Sequence, residues 1–349
     1  MSDNKNSKKG LIVFFIILGA AVFIAFAGTI AFLLKNNFSQ IAENFFGNSI
    51  PGFTINNGKK SSAKGSKQAK SFGKEYIAAL YVEGTIEERN NDYDQQWLLS
   101  TIDDLKNDKK NVAIAMYINS PGGAVYQADE VYLALQDYKT EGKKIFVYMG
   151  PLAASGGYYI SCPADQIYAN RNTLTGSIGV IAGQSLDLTG LMEKAGIKSE
   201  TIHAGKNKNM MNYNEPFTDE QKAIMQSIAD ECYDQFTSIV STCRGIPLEK
   251  VHELADGRIY TAKQALENGL IDKIDSWDNM IDDLQHEIDN IECKVIDFEV
   301  EKKTGFMDFL MESKANAAGR QTAANLGIPY KLYQELSASN NYPAYIYKY

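Results

Sequence analysis

Pro151-Leu152-Ala153-Ala154-Ser155-Gly156-Gly157-Tyr158-Tyr159 follows the apolar run Ile145-Phe146-Val147-Tyr148-Met149. The pattern reads as a buried strand that stops, a tight turn through small residues, and a helix that opens at the serine. A hydroxyl at that place lies near backbone N–H groups that have no partner within the helix. A nucleophile needs such a setting, because the negative charge it generates has to be stabilised as it forms. The plainer alternative is a serine that only caps the helix.

Upstream, residues 76–82 (Tyr-Ile-Ala-Ala-Leu-Tyr-Val) and 112–118 (Val-Ala-Ile-Ala-Met-Tyr-Ile) carry the near-continuous apolar pattern of strands covered on both faces. Tyr93, Trp97, Leu98, Ile102 and Leu105 recur at helical spacing, as do Val125, Ala128, Val131, Tyr132 and Leu135 within 124–138. Downstream, short strands are expected at 166–169 and 178–181. Thr218-Asp219-Glu220-Gln221 is a capping box that opens a long helix, with Gly245 as its stop. Shorter helices are expected at 248–255 and 262–268. Strands alternating with helices predict an α/β fold with a largely parallel sheet, in a single copy without internal repeat.

The loop after the second strand reads Asn119-Ser120-Pro121-Gly122-Gly123. Two glycines after a proline let a backbone turn with its N–H groups exposed. Ligands of α/β folds bind outside the carboxyl ends of strands, so this loop and the Ser155 turn can share one crevice. Gly122 and Gly123 are then candidates for an oxyanion hole. A serine nucleophile also needs a base. Of the three histidines, His252 and His286 fall on polar helical stretches. His203 lies in Thr201-Ile202-His203-Ala204-Gly205-Lys206-Asn207-Lys208, at an expected strand end. Lys206 and Lys208 are the other candidates. A lysine base must be neutral, which calls for lowering its pKa by about three units, roughly 4 kcal/mol. Burial without a carboxylate partner can do this. No acidic residue lies between Glu200 and Glu215.

The chain has 349 residues and a net charge of −8, a balance that argues against nucleic acid as a partner. Residues 11–34 are apolar apart from Thr29 and small glycines, long enough to cross a bilayer of about 30 Å. Lys5, Lys8 and Lys9 precede this run and only Lys35 follows closely. The expected order is therefore a cytosolic N-terminus (1–9), a single-pass anchor in the cell membrane (10–35), a polar linker (36–74), an extracytoplasmic domain (75–300) and a helical or tail extension (301–349). A cleaved signal peptide would have a shorter apolar core. The spacing of Cys162, Cys232, Cys243 and Cys293 suggests neither a disulfide scaffold nor a metal site, and Cys232 and Cys243 stand too far apart on one helix to pair. No cofactor is expected.

Taken together, Ile118-Asn119-Ser120-Pro121-Gly122-Gly123, Ala154-Ser155-Gly156-Gly157-Tyr158-Tyr159, Thr175-Gly176-Ser177-Ile178-Gly179-Val180, Gly257-Arg258-Ile259-Tyr260-Thr261 and Gly269-Leu270-Ile271-Asp272 resemble the signal peptide peptidase A family. These are membrane-anchored serine proteases with a Clp-protease/crotonase-like α/β fold, and the resemblance covers about residues 76–283 behind an N-terminal transmembrane helix. It implies a Ser/Lys dyad of Ser155 with Lys208, as in single-unit, Bacillus-type members. It also implies Gly122 as oxyanion donor with Gly123 beside it, and Ser177 against the lysine amine. Remnant signal peptides are the implied substrates. The implied assembly is a homo-oligomeric ring in which the lysine can serve a neighbouring chain. Two rivals stand beside this reading: a crotonase-like acyl-CoA enzyme, which uses similar glycine-loop donors, and a non-catalytic anchored scaffold.

Beyond residue 300 an alanine-rich helix is expected within 306–336. The terminus Asn341-Tyr342-Pro343-Ala344-Tyr345-Ile346-Tyr347-Lys348-Tyr349 is either a loose tail or a segment that lies in the peptide groove as an internal substrate or plug.

Overall fold

In the computed structural model, residues 73–300 and the backbone of 344–346 are described. The expected anchor, most of the linker and the helix within 306–336 lie outside the described residues. Among those residues no helix is long and apolar enough to cross a membrane.

The apolar runs form the centre of an eight-stranded sheet. β1 (Tyr76–Glu83), β2 (Asn111–Ser120) and β4 (Lys144–Ala154) pair in parallel, with β9 (Lys294–Phe298) parallel on the outer edge of β1. The far edge of β4 is shared. Its first half pairs with β5 (Gln166–Ala169), which in turn takes β8 (Lys273–Ile274). Its last turns pair with β6 (Leu174–Gly176), to which β7 (Ile259–Thr261) adds antiparallel. Side chains alternate across the sheet with period two. Leu80, Met116, Ile118, Val147 and Met149 point into one core, and Ile77, Ala115, Phe146 and Tyr148 into another.

Helices cover both faces. α1 (Gln95–Asn107) and α2 (Val125–Lys139) lie on the larger core with the long α5 (Asp219–Arg244). α8 (Trp277–Glu287) covers the smaller one through Met280, Ile281 and Leu284. Their starts are set locally. The Asp94 carboxylate accepts from the Trp97 N–H, Ser276 from Asn279, and Thr218 with Gln221 forms the expected reciprocal box. Gly245 ends α5 in the left-handed conformation at φ 64°. A second capping box, Thr261 with Gln264, opens α7 (Ala262–Glu267), after the short α6 (Leu248–Leu254).

Several elements depart from the sequence reading, and the stretch 151–154, expected as a tight turn, is the last part of β4. The strand expected at 178–181 is not formed. The strand lies earlier, at β6, because Gly176 (φ 84°) and Ser177 (φ 50°) turn the chain and the Ser177 N–H goes to the Arg258 carbonyl. Gly122–Ala124, expected as loop, is a short strand, β3. One edge of β3 is held by Ile86, whose N–H donates to the Gly122 carbonyl at 2.9 Å and whose carbonyl accepts from Ala124 at 2.8 Å. The peptide groups of Gly123 therefore face the other edge. There β10 (Ala344–Ile346) pairs antiparallel, with Tyr345 opposite Gly123. The contact with Ile86 leaves no room for a side chain: a Cβ on Gly123 would lie 1.8 Å from the Ile86 carbonyl oxygen. Gly123→Ala is expected to cost roughly 3 kcal/mol or more of stability by overpacking. Gly190→Ala, where nothing lies within 4 Å, is expected to be near neutral. Thermal or urea melts of the two variants check the contrast.

Candidate active site

The parallel register of β2 with β4 sets Ser120 directly opposite Ala153. The loop after Ser120 and the turn after Ala154 thus leave the sheet side by side. Ser155 follows the last residue of β4 and precedes the single-turn helix α3 (Gly156–Tyr159). Its backbone is strained, at φ 54° and ψ −115°, a region that costs a non-glycine residue of order 1–3 kcal/mol. Surrounding bonds hold it there: the Ser155 N–H donates to the Gly176 carbonyl at 2.8 Å, and its own carbonyl accepts from the Tyr159 N–H at 2.8 Å. The neighbouring loops pack without clearance, since a Cβ on Gly157 would sit 2.9 Å from the Ser120 carbonyl oxygen.

The Ser155 side chain makes no capping bond. Ser155 is 1 % exposed, and its Oγ is one of two buried side-chain polar atoms without a hydrogen-bond partner among the described residues. A strained backbone that carries a buried, unpartnered hydroxyl does not serve to cap a helix; the helix-cap alternative therefore fails. Gly122 is buried at φ 96°, a conformation open to glycine, and its N–H donates to Ser120 Oγ at 3.1 Å. Beside Ser155 on α3, Tyr159 donates to Asp129 Oδ1 at 2.6 Å, and Gln235 of α5 donates to that oxygen and to the Tyr159 hydroxyl. The turn is thereby tied to α2 and α5.

The base candidates lie on an excursion between β6 and α5. It includes α4 (Thr189–Lys194), which has no buried residue, and it exposes apolar side chains, Leu191 to 65 % and Ile202 to 96 %. The segment 201–208 is irregular rather than the expected end of a strand. All three histidines are exposed, and none is hydrogen-bonded to Ser155; His203 Nδ1 meets the Gly205 carbonyl at 3.1 Å. The two lysines differ. Lys206 is ion-paired with Glu220, an acid that reaches in from the first turn of α5 and also accepts from Asn207. The hydrogen bond from Lys206 is the main cause that holds the Glu220 carboxyl below its ordinary range. The spacing of acids along the chain could not reveal this partner. Lys208 is exposed, and among the described residues its amine has no ion pair or hydrogen bond. No hydrogen bond joins it to Ser155 or Ser177 within one chain. Buried Asn209 follows it, bonded to Asn212 at 2.7 Å, while Asn214 reaches Thr201 at 3.0 Å, so uncharged amides brace the loop.

Ser177 is buried and sits at φ 50°. Its anchor, the Arg258 carbonyl, belongs to a turn closed by the Asp256–Arg258 ion pair. Hydrogen bonds from the Arg258 side chain and backbone lower the Asp256 pKa from 3.8 to about 2. A carboxyl whose folded pKa is depressed stabilises the fold above its unfolded pKa and loses that contribution as pH falls through the folded one. The pair therefore acts fully above about pH 4 and is lost toward pH 2. Asp256→Asn is expected to flatten part of the fall in melting temperature between those pH values, with the wild type and the variant melted in parallel.

Among the described residues no cluster of His, Cys, Asp and Glu could hold a metal ion, and no disulfide joins any two of the four cysteines. The family model for peptidase family S49 matches residues 137–290, a span that includes Ser155, Ser177 and Lys208. A candidate signal peptide peptidase SppA of Enterococcus faecium is 35 % identical over 222 residues, 64 % of this chain and 64 % of that protein. A candidate protease of Methanocaldococcus jannaschii is 31 % identical over 215 residues, 61 % of this chain and 68 % of that protein. Protease 4 of Haemophilus influenzae is 29 % identical over 272 residues, 75 % of this chain but 44 % of its own length. The chain thus spans less than two thirds of the length of the Enterococcus and Haemophilus relatives.

Proposed function

The chain belongs to peptidase family S49, and from that premise we propose that it is a serine endopeptidase working through Ser155 and Lys208. One observation carries the reading beyond membership: an extended segment lies antiparallel along the open edge of β3, next to the strained turn that bears Ser155. Addition of a strand to a sheet edge is how an extended peptide is held by its main chain. The mixed α/β sheet agrees with a Clp-protease-like architecture. A crotonase-like or purely structural role finds no comparable support.

In the proposed reaction the Ser155 Oγ proton passes to neutral Lys208 Nζ while Oγ bonds to the peptide carbonyl carbon. The carbonyl oxygen becomes an oxyanion, which the Gly122 N–H stabilises. The C–N bond breaks, and the leaving amine takes the proton from Lys208. Lys208 then deprotonates a water that attacks the acyl-enzyme, which releases the acid and restores the Ser155 hydroxyl. Lys206, engaged with Glu220, is the poorer base.

A lysine amine is an effective base only where water is kept away from it. Lys208 is exposed in the single chain, so the proposal includes a second chain that covers it. The bare apolar side chains of the excursion are the surface for that contact. The assembly is a ring of identical chains anchored by residues 10–35 at the cell membrane, with the domain outside and remnant signal peptides as substrates. The segment Ala344–Ile346 is a resident occupant of the groove.

Ser155→Ala and Lys208→Ala are expected to lower kcat on an unstructured peptide by at least about a thousandfold, while Lys206→Ala stays within a few-fold of wild type. Mass spectrometry of the digests reads all three. Retained cleavage by Lys208→Ala would remove the dyad, and full activity in a demonstrated monomer would remove the shared site. Removal of residues 337–349 is expected to raise the initial rate, and an unchanged rate would dismiss the resident tail.

A further inference from the structure

The hydrogen bond from Gly122 to Ser120 has a consequence for the reaction. Ser120 is completely buried, and its Oγ accepts the Gly122 N–H at 3.1 Å. Among the described residues nothing accepts the proton of the Ser120 hydroxyl. The second N–H of the loop, that of Gly123, faces the edge along which an extended chain pairs. Thus the group with the best claim to stabilise an oxyanion already donates to an oxygen of the protein.

We propose that Ser120 gates the oxyanion hole. Its Oγ stands in for the substrate oxygen while the site is at rest, which keeps a buried N–H from being left unpaired. As the tetrahedral intermediate forms, the Ser120 hydroxyl turns away about χ1 and releases the Gly122 N–H to the oxyanion. Position favours this role. Ser120 lies opposite Ala153, two residues before the nucleophile. Its carbonyl and Cβ pack against Gly157 of α3, at 2.9 and 3.4 Å from where a Cβ there would be. The backbone is therefore pinned and the hydroxyl is the part free to move. Part of the oxyanion's hydrogen bonding then only replaces a bond that existed before, and Ser120 acts as a positioning residue that restrains the rate.

The inference rests on the peptidase reading, and one set of measurements separates the two. Wild type, Ser120→Ala and Ser120→Cys are compared for peptide kcat and KM, for inhibition by a peptidyl phosphonate that mimics the tetrahedral intermediate, and for melting temperature. Removal of the competing acceptor is expected to raise kcat and phosphonate affinity by about two- to ten-fold with KM nearly unchanged, while the melting temperature falls. The thiol, a weak acceptor of similar size, is expected to give a smaller gain with better folding. A strut without gating function would lower kcat together with stability. If folded Ser120→Ala or Ser120→Cys is no faster than wild type, the gate is overturned while the peptidase reading stands. A wild-type chain that neither cleaves peptides nor reacts with the phosphonate at Ser155 overturns both.

Discussion

Parallel pairing of β2 with β4 is the constraint from which the site follows. Two buried strands run in the same direction and end at the same level, so whatever follows each of them emerges into one crevice. Ser120 and Ala153 are partners in that ladder, and each is followed within two residues by a position of unusual backbone, Gly122 at φ 96° and Ser155 at φ 54°. The first is open to glycine, while the second is unfavourable for a serine on its own. Both persist because the sheet beneath, the Gly176 carbonyl on one side and the packing of Gly157 on Ser120 on the other leave no alternative. The strain is local, and the whole central sheet holds it in place.

Polarity in the crevice is arranged by exclusion. Two serine hydroxyls are buried there with protons that no described residue accepts, whereas nearly every other buried polar side chain is satisfied. Charges lie at the periphery and are paired off: Asp256 with Arg258 beneath the Ser177 turn, Glu220 with Lys206 on the excursion. The second pair separates two lysines that stand two residues apart. One is held by an anion, and the other is left available in a loop braced by amides.

Much of this was legible in the chain. Strands β1, β2 and β4, the apolar stripes of α1 and α2, the helix opened by Thr218 and the helix that follows Ser155 come from apolar period and cap residues, which are local signals. The errors share one cause. The strand expected at 178–181 fails because Gly176 and Ser177 turn for the sake of the Arg258 carbonyl, eighty-odd residues away. β3 looks like a glycine turn because its strand character comes only from Ile86 on one edge and residues 344–346 on the other. Glu220 escaped a scan for nearby acids because the first turn of a following helix brings it back. The Ser120 bond could be suspected from a serine two residues before a glycine, but its significance appears only once that serine is known to be fully buried. Local chemistry was readable; long-range pairing was not.

β3 consists of two glycines and an alanine. It therefore offers a neighbouring chain almost nothing except amides, and every polypeptide carries amides in the same order. Such an edge senses whether a guest can be drawn out straight, not which letters it spells. Any taste for particular residues must be imposed from the walls, and whatever is folded tightly enough to refuse straightening is passed over.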